Sequence, residues 1–204
     1  MNQLEPKIIF QGKFKSNANI DKICKKAAQL FNEKGYLSTT LVEISKASGL
    51  SKGGIFYYFP TKELLLFFVL NHCMEEITDG LKSRLKDNYT PYEKIRIFIQ
   101  NHIYFYCNNF HEARVILHET KNLPPGYWKI LRKKTKAYYN FLKSNINDLM
   151  DRRNKRNPEK AKLLANFLLG MCNWIYWWYD PKGRISPEEL ADEIYKIFVA
   201  GLSK

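Results

Sequence analysis

The sequence is short of several things at once, and each shortage closes a class of function. Its four cysteines, Cys24, Cys73, Cys107 and Cys172, lie far apart and form no C-x-x-C pair. A zinc site or disulfide framework is not expected, and each thiol reads as a buried free cysteine in a reducing compartment. No nucleophile–base pair, H-E-x-x-H motif or enzymatic phosphate-cradling glycine loop occurs, so no catalytic residue and no cofactor is expected. His111 and His118 lie seven apart with no third ligand in view, so no metal site is expected. No run alternates apolar and polar residues with the period of two that a half-buried strand requires, and no internal repeat is found. The stretch MNQLEPKIIFQGKFK lacks an apolar core of signal-peptide length, and the expected location is cytoplasmic.

Charge is missing in two senses. Acidic residues number 20 against 33 Lys and Arg, which leaves a net charge of +13. That surplus suits a polyanionic partner such as nucleic acid, anionic lipid or a phosphorylated ligand, with a merely basic surface as the plainer alternative. Residues 163–179, LLANFLLGMCNWIYWWY, carry no charge at all. They fall just short of a bilayer span and include Asn166, Gly170 and Asn173. A helix buried in a core or a subunit interface is expected there, with no membrane partner.

What is present is material for a helical core: 45% hydrophobic and 15% aromatic residues in 204. The expected fold is all-α, with about nine helices. Residues 1–17 read as a flexible basic arm. A first helix runs over 18–34 on the stripe Ile20, Ile23, Cys24, Ala27 and Phe31, and Gly35 stops it. Thr40 and Glu43 have capping-box spacing and start a second helix in which Val42, Ile44 and Ala47 can face inward. Gly49 ends it, and Ser51 caps a short third helix over 52–59 that Pro60 terminates. Longer helices follow over about 62–86, 92–109, 112–121 and 127–153. Asn157-Pro158-Glu159 and Ser186-Pro187-Glu188-Glu189 each supply a cap, a proline at the first helical position and acids in the first turn. They open helices over 158–179 and 187–202.

The stretch GLSKGGIFYYFPTKE concentrates the chemistry. Two short helices joined by a tight turn are the layout of a helix-turn-helix, whose second helix enters the DNA major groove. Gly53 and Gly54, lacking side chains, let the backbone approach a duplex closely. Ser51 and Lys52 can meet phosphate at the helix start, and tyrosine hydroxyls can reach it from the flank. Ile55 and Phe59 belong to the core.

The segment GYLSTTLVEISKASGLSKGGIFYYFPTKELL resembles the DNA-binding signature of the TetR family of bacterial transcriptional repressors. The resemblance covers roughly a quarter of the chain, placing a helix-turn-helix domain at 18–66 and a ligand-binding and dimerisation bundle at 67–204. It implies that Thr40 bonds phosphate at a helix start and that Lys52 and Gly53 form the base-proximal tip. It implies further that Tyr57 and Tyr58 touch backbone or bases and that Lys62 anchors phosphate. Phe56 stands where the family usually carries a tyrosine, so one hydroxyl contact is missing.

The same resemblance implies a homodimer through helices 158–179 and 187–202. It also implies a small apolar, aromatic or acyl-CoA-like effector held among the aromatics of the bundle. These are Tyr104, Phe105, Tyr106, Phe110, Trp128, Tyr138, Tyr139, Phe141, Phe167, Trp174, Trp177 and Trp178. Tyr104, Phe105, His118, Phe167, Trp174 and Trp178 are the named ligand candidates, with Glu119, Asn166 and Asn173 as further polar handles. The C-terminal run W-Y-x-P-x-G-x-x-S-P-E-E-x-A is similar to that of lipid- and acyl-CoA-responsive members. The basic runs 129–136 and 152–162 read as solvated faces, with a phosphorylated ligand as the alternative. The function implied is a ligand-released repressor on a pseudo-palindromic operator. A TetR-type activator, or a helical carrier of apolar ligands without DNA function, is the alternative.

Overall fold

The computed structural model describes residues 18–152 and 157–202. The expected arm at 1–17, and residues 153–156 of the basic run 152–162, lie outside the described residues.

The described residues form helices without strands: α1 Ala18–Lys34, α2 Leu41–Ser48, α3 Lys52–Tyr58, α4 Lys62–Arg84, α5 Pro91–Asn108, α6 Phe110–His118, α7 Pro125–Asp151, α8 Pro158–Trp178 and α9 Pro187–Leu202. A single 3-10 turn, Thr120–Asn122, follows α6. Boundaries follow local chemistry. At α2 the Thr40 hydroxyl accepts from the Glu43 amide, and the Glu43 carboxylate accepts from the Thr40 amide. Gly49 ends α2 at φ +70°, a left-handed conformation that favours glycine, and the Leu50 amide reaches back to the Ser45 carbonyl. Thr90 and Glu93 form a second capping box ahead of α5, so Pro91 is the first residue of that helix and not merely a break.

Two expectations change. Val42 and Ala47 are exposed, and the inward face of α2 is Leu41, Ile44, Ser45 and Ser48. The serines can be buried because their hydroxyls donate to backbone carbonyls of the same helix, Val42 for Ser45 and Ile44 for Ser48. The sixth helix begins at Phe110 and stops at His118, because Asn109 ends α5 and at once accepts the Ala113 amide.

Helices α1–α3 make a compact head around Ile23, Ala27, Phe31, Ile44, Ile55 and Phe59, all essentially inaccessible to solvent. Helix α4 leaves the head and continues into the body, packing on α1, α5, α6 and α7. Within the body α5 lies against α9 and α7, and α7 against α8. The head also rests on the body through α1 and α6. There the Asn32 amide bonds the His111 ring at 2.8 Å, and the Tyr36 amide donates to Glu119 at 3.4 Å.

Helix α8 is apolar on both sides. Ala161, Ala165, Leu168, Cys172 and Ile175 face the core, while Leu163, Phe167, Trp174, Trp177 and Trp178 are exposed. No single helix among the described residues is long and apolar enough to cross a membrane.

Candidate nucleic-acid interface and body cleft

The tip of α3 is built from the inside out. Ile55 and Phe59 are fully buried, and the Phe59 ring meets Phe68 of α4 at 5.2 Å. Those two anchors fix the helix on the head and turn its other residues outward. The Ser51 hydroxyl accepts the Gly54 amide at 3.1 Å and caps the helix. Ser51, Lys52 and Gly53 are exposed. A Cβ added at Gly53 would come no closer to another atom than 4.0 Å, to the Ser51 hydroxyl. Nothing among the described residues requires glycine at that position. At Gly54 the same oxygen would lie at 3.3 Å, so packing against the cap explains that glycine in part.

Around this tip the expected residues divide. Tyr57 is 82% exposed, and its ring meets that of Tyr58 edge-on. Tyr58 is half-buried, and its hydroxyl accepts from the Asn19 side chain of α1. Phe56 is 39% exposed and offers only a ring. Thr40 is exposed, yet its amide and hydroxyl both donate to Glu43. Lys34 in turn donates to that carboxylate at 2.9 Å, and its bond, followed by those from Thr40, holds the Glu43 carboxyl down to about 2. Lys62 departs most from its expected role. Its ammonium donates to the carbonyls of Tyr36, Leu37 and Thr39 at 2.9, 3.3 and 2.8 Å, and it lies 4.4 Å from the Tyr36 ring centre. All three of its N–H groups are engaged within the chain. Lys22 was not singled out from sequence, but its ammonium lies 3.4 Å from where a side chain at Gly49 would begin. Nothing in its spacing marks it; only the packing of α1 on the turn brings it there.

The body holds a cleft of about 470 Å³ between α4, α5, α6, α7 and α8. The structure does not gather the six named ligand candidates there. Phe105 is buried in the core, and Tyr104 lies beneath the Arg84 guanidinium in a separate shallow hollow. His118 packs edge-on against Tyr176, beside Glu119. Phe167, Trp174 and Trp178 are on the exposed side of α8. Asn166 bonds the Lys162 carbonyl of its own helix. Of the handles only Asn173 lines the cleft, together with Tyr106, Trp128, Tyr138 and Tyr139 from the wider aromatic set.

His102 is the polar centre that sequence reasoning missed. It is buried, with Nε2 3.0 Å from Asn173 Oδ1 and Nδ1 3.3 Å from the Tyr138 hydroxyl. The amide oxygen can only accept, so Nε2 carries the hydrogen and Nδ1 accepts from Tyr138. Burial pushes the pKa of this imidazole down to about 4, against the opposing effect of the Asn173 bond. A lone histidine in an apolar helix has no sequence pattern that separates it from an exposed one.

Among the described residues no group of three His, Cys, Asp or Glu side chains could hold a metal ion. Burial raises the thiols of Cys24 and Cys172 to about 12, which leaves them protonated and unreactive.

Residues 23–67 match the family model described as bacterial regulatory proteins, tetR family, and residues 88–202 match tetracyclin repressor-like, C-terminal domain. The negative transcriptional regulator IcaR of the Staphylococcus epidermidis biofilm operon is 37% identical over 70 residues, 34% of this chain. That match spans only 38% of the length of IcaR. The transcriptional regulator QacR of Staphylococcus aureus is 28% identical over 196 residues, covering 90% of this chain and 98% of QacR. Among solved structures, AibR in complex with isovaleryl coenzyme A and operator DNA is 28% identical. It superposes with a TM-score of 0.77 over 88% of this chain and 97% of that one.

Proposed function

The chain belongs to the TetR family of bacterial regulatory proteins, and we propose that it is a homodimeric repressor released from its operator by a small ligand. The head at 18–66 reads DNA, and the body at 67–204 dimerises and senses. The observation that carries the reading is the exposed tip Ser51-Lys52-Gly53, locked from behind by Ile55 and Phe59, with a glycine that the chain's own packing does not require. A carrier of apolar ligands accounts for the cleft but not for that tip.

In this reading Lys52 meets phosphate, and Gly53 and Gly54 let the backbone approach base edges. Ser51, Tyr57 and Tyr58 contact the flanking backbone. Thr40 reaches phosphate once its hydroxyl turns from Glu43. Lys62 acts one step back, tying the chain between α1 and α2 to the start of α4. Dimerisation through α8 and α9 places two tips one helical turn of DNA apart, about 34–36 Å. The protein works in the cytoplasm, where its operator is. AibR was crystallised with both a coenzyme A thioester and operator DNA, which supports pairing the two ligand classes on one such fold.

Coupling follows the contacts between head and body. A ligand in the cleft displaces α6 and α7 against α4, and α6 carries α1 through the Asn32–His111 and Tyr36–Glu119 bonds. The spacing of the tips then changes and DNA affinity falls. Linkage requires the reverse effect: operator weakens ligand binding by the same factor.

The test is a duplex selected from random DNA by the full chain, followed by fluorescence anisotropy across ionic strength. Tight, sequence-dependent binding is expected, with a steep loss on adding salt. Lys52→Ala is expected to flatten the salt dependence by about one unit per contact. Equal, feeble binding to selected and random duplexes at every ionic strength overturns the proposal.

A further inference from the structure

The cleft in the body is uneven in charge. Its deep wall is apolar, with Met74, Ile77, Ile116 and Leu169. Its deepest polar group, His102, is already satisfied by Tyr138 and Asn173 and asks nothing of a ligand. The rim is different. Trp128, Arg132 and Lys136 recur every fourth residue along α7, so one face of that helix sets a ring, a guanidinium and an ammonium in successive turns at the mouth.

Neither cation is neutralised. No ion pair among the described residues includes Arg132 or Lys136; the one pair made by this basic run is Lys134 with Glu75. Among the described residues no acidic side chain lines the cleft, whereas three other hollows each contain at least one carboxylate, Glu76, Glu188 and Glu119 among them. Two like charges one turn apart repel each other, and an anion seated between them removes that repulsion. Lys129, Arg132, Lys133 and Lys136 are all exposed, but Arg132 and Lys136 line the cleft beside its apolar wall, whereas Lys129 and Lys133 lie outside it.

We propose that the cleft takes a small amphiphile with an apolar tail and an anionic head, carboxylate or phosphate, the tail lying along Met74, Ile77, Ile116 and Leu169 and the head between Arg132 and Lys136. The inference rests on the reading of this cleft as the effector site. It excludes cationic effectors, which meet two positive charges and no carboxylate, and it ranks neutral ones below anions of equal tail length.

The experiment is isothermal titration of the full-length protein with four probes of one tail length: octanoate, octyl phosphate, octanol and octyltrimethylammonium. At least one anion is expected to bind about tenfold or more tighter than octanol, with the cation weakest. The order of octanoate and octyl phosphate identifies the head group. The double variant Arg132→Gln, Lys136→Gln is expected to lose about tenfold in affinity for that anion and to keep its affinity for octanol. Lys133→Gln, with its side chain outside the cleft, is expected to change neither. Octanol or the cation matching both anions, unchanged anion affinity in the double variant, or no binding of any probe overturns the inference. Sequence-dependent DNA binding is read by anisotropy on the same samples. Its absence beside intact anion preference defeats the repressor reading alone; its presence beside lost anion preference defeats this inference alone.

Discussion

The ammonium of Lys62 lies 2.8 Å from the carbonyl oxygen of Thr39, twenty-three residues earlier in the chain. With the Tyr36 and Leu37 carbonyls as further acceptors, it closes the segment between α1 and α2 onto the first turn of α4. Lys62→Met leaves those carbonyls short of a donor, at a cost of about 1–2 kcal/mol. Thermal unfolding is expected to move down by several degrees. DNA affinity is expected to fall with little change in its salt dependence, in contrast to Lys52→Ala. A loss of about one unit of salt slope in Lys62→Met would return this lysine to the phosphate.

Gly53→Ala separates folding from recognition. Among the described residues, its own helix backbone and chain neighbours aside, the new methyl group meets nothing closer than 4.0 Å. Alanine should stabilise α3 by up to about 1 kcal/mol relative to glycine. DNA affinity should fall, because the methyl group stands where the backbone approaches the duplex. Denaturant unfolding and anisotropy are expected to move in opposite directions. If affinity is unchanged, the tip does not approach the bases.

His102 gives stability a pH dependence. Its folded pKa is held near 4, below the ordinary 6.5. The unfolded chain therefore takes up the proton first, and stability is complete above pH 6.5 and lost as pH falls toward 4. The loss reaches about 2 kcal/mol at pH 5. His102→Gln, which does not titrate, is expected to flatten the stability curve between pH 6.5 and 4. Urea unfolding at several pH values measures the difference, and parallel curves would remove the histidine from the account.

Phe167 is 57% exposed on α8, beside Trp174 and Trp178 on the same uncovered side. Phe167→Asp disturbs little within the protomer but sets a charge in the proposed dimer face. Sedimentation should show the dimer weakened by about tenfold or more, from the lost apolar burial. DNA affinity should fall with it, since both half-sites must be engaged together. An unaltered dimer would move the interface elsewhere.

Helix starts were legible wherever the signal was local. Thr40 with Glu43, Asn157 with Pro158, and Ser186 with Pro187 lie within one turn of the groups they satisfy, so spacing alone reveals them. The same rule would have marked Thr90 and Glu93. The head was legible for a related reason: turn glycine, cap and anchors fall within twenty residues, and their order is their geometry. Val42 and Ala47 were misplaced because an eight-residue helix offers too few apolar positions to fix its face, and buried serines satisfied by their own backbone supplied the rest.

The sequence by itself determined an all-helical chain, a helix-turn-helix head, and a charge that favours polyanions, because caps, breakers and apolar spacing act over a few residues. Only the tertiary structure decided which cations are free and which aromatics enclose space. Lys62 is consumed by carbonyls more than twenty residues away. Arg132 and Lys136 gain meaning from the apolar wall opposite, and Phe167 and Trp174 face outward rather than into the cleft. Each of these depends on the angle at which one helix meets another, which residues far apart in sequence settle jointly.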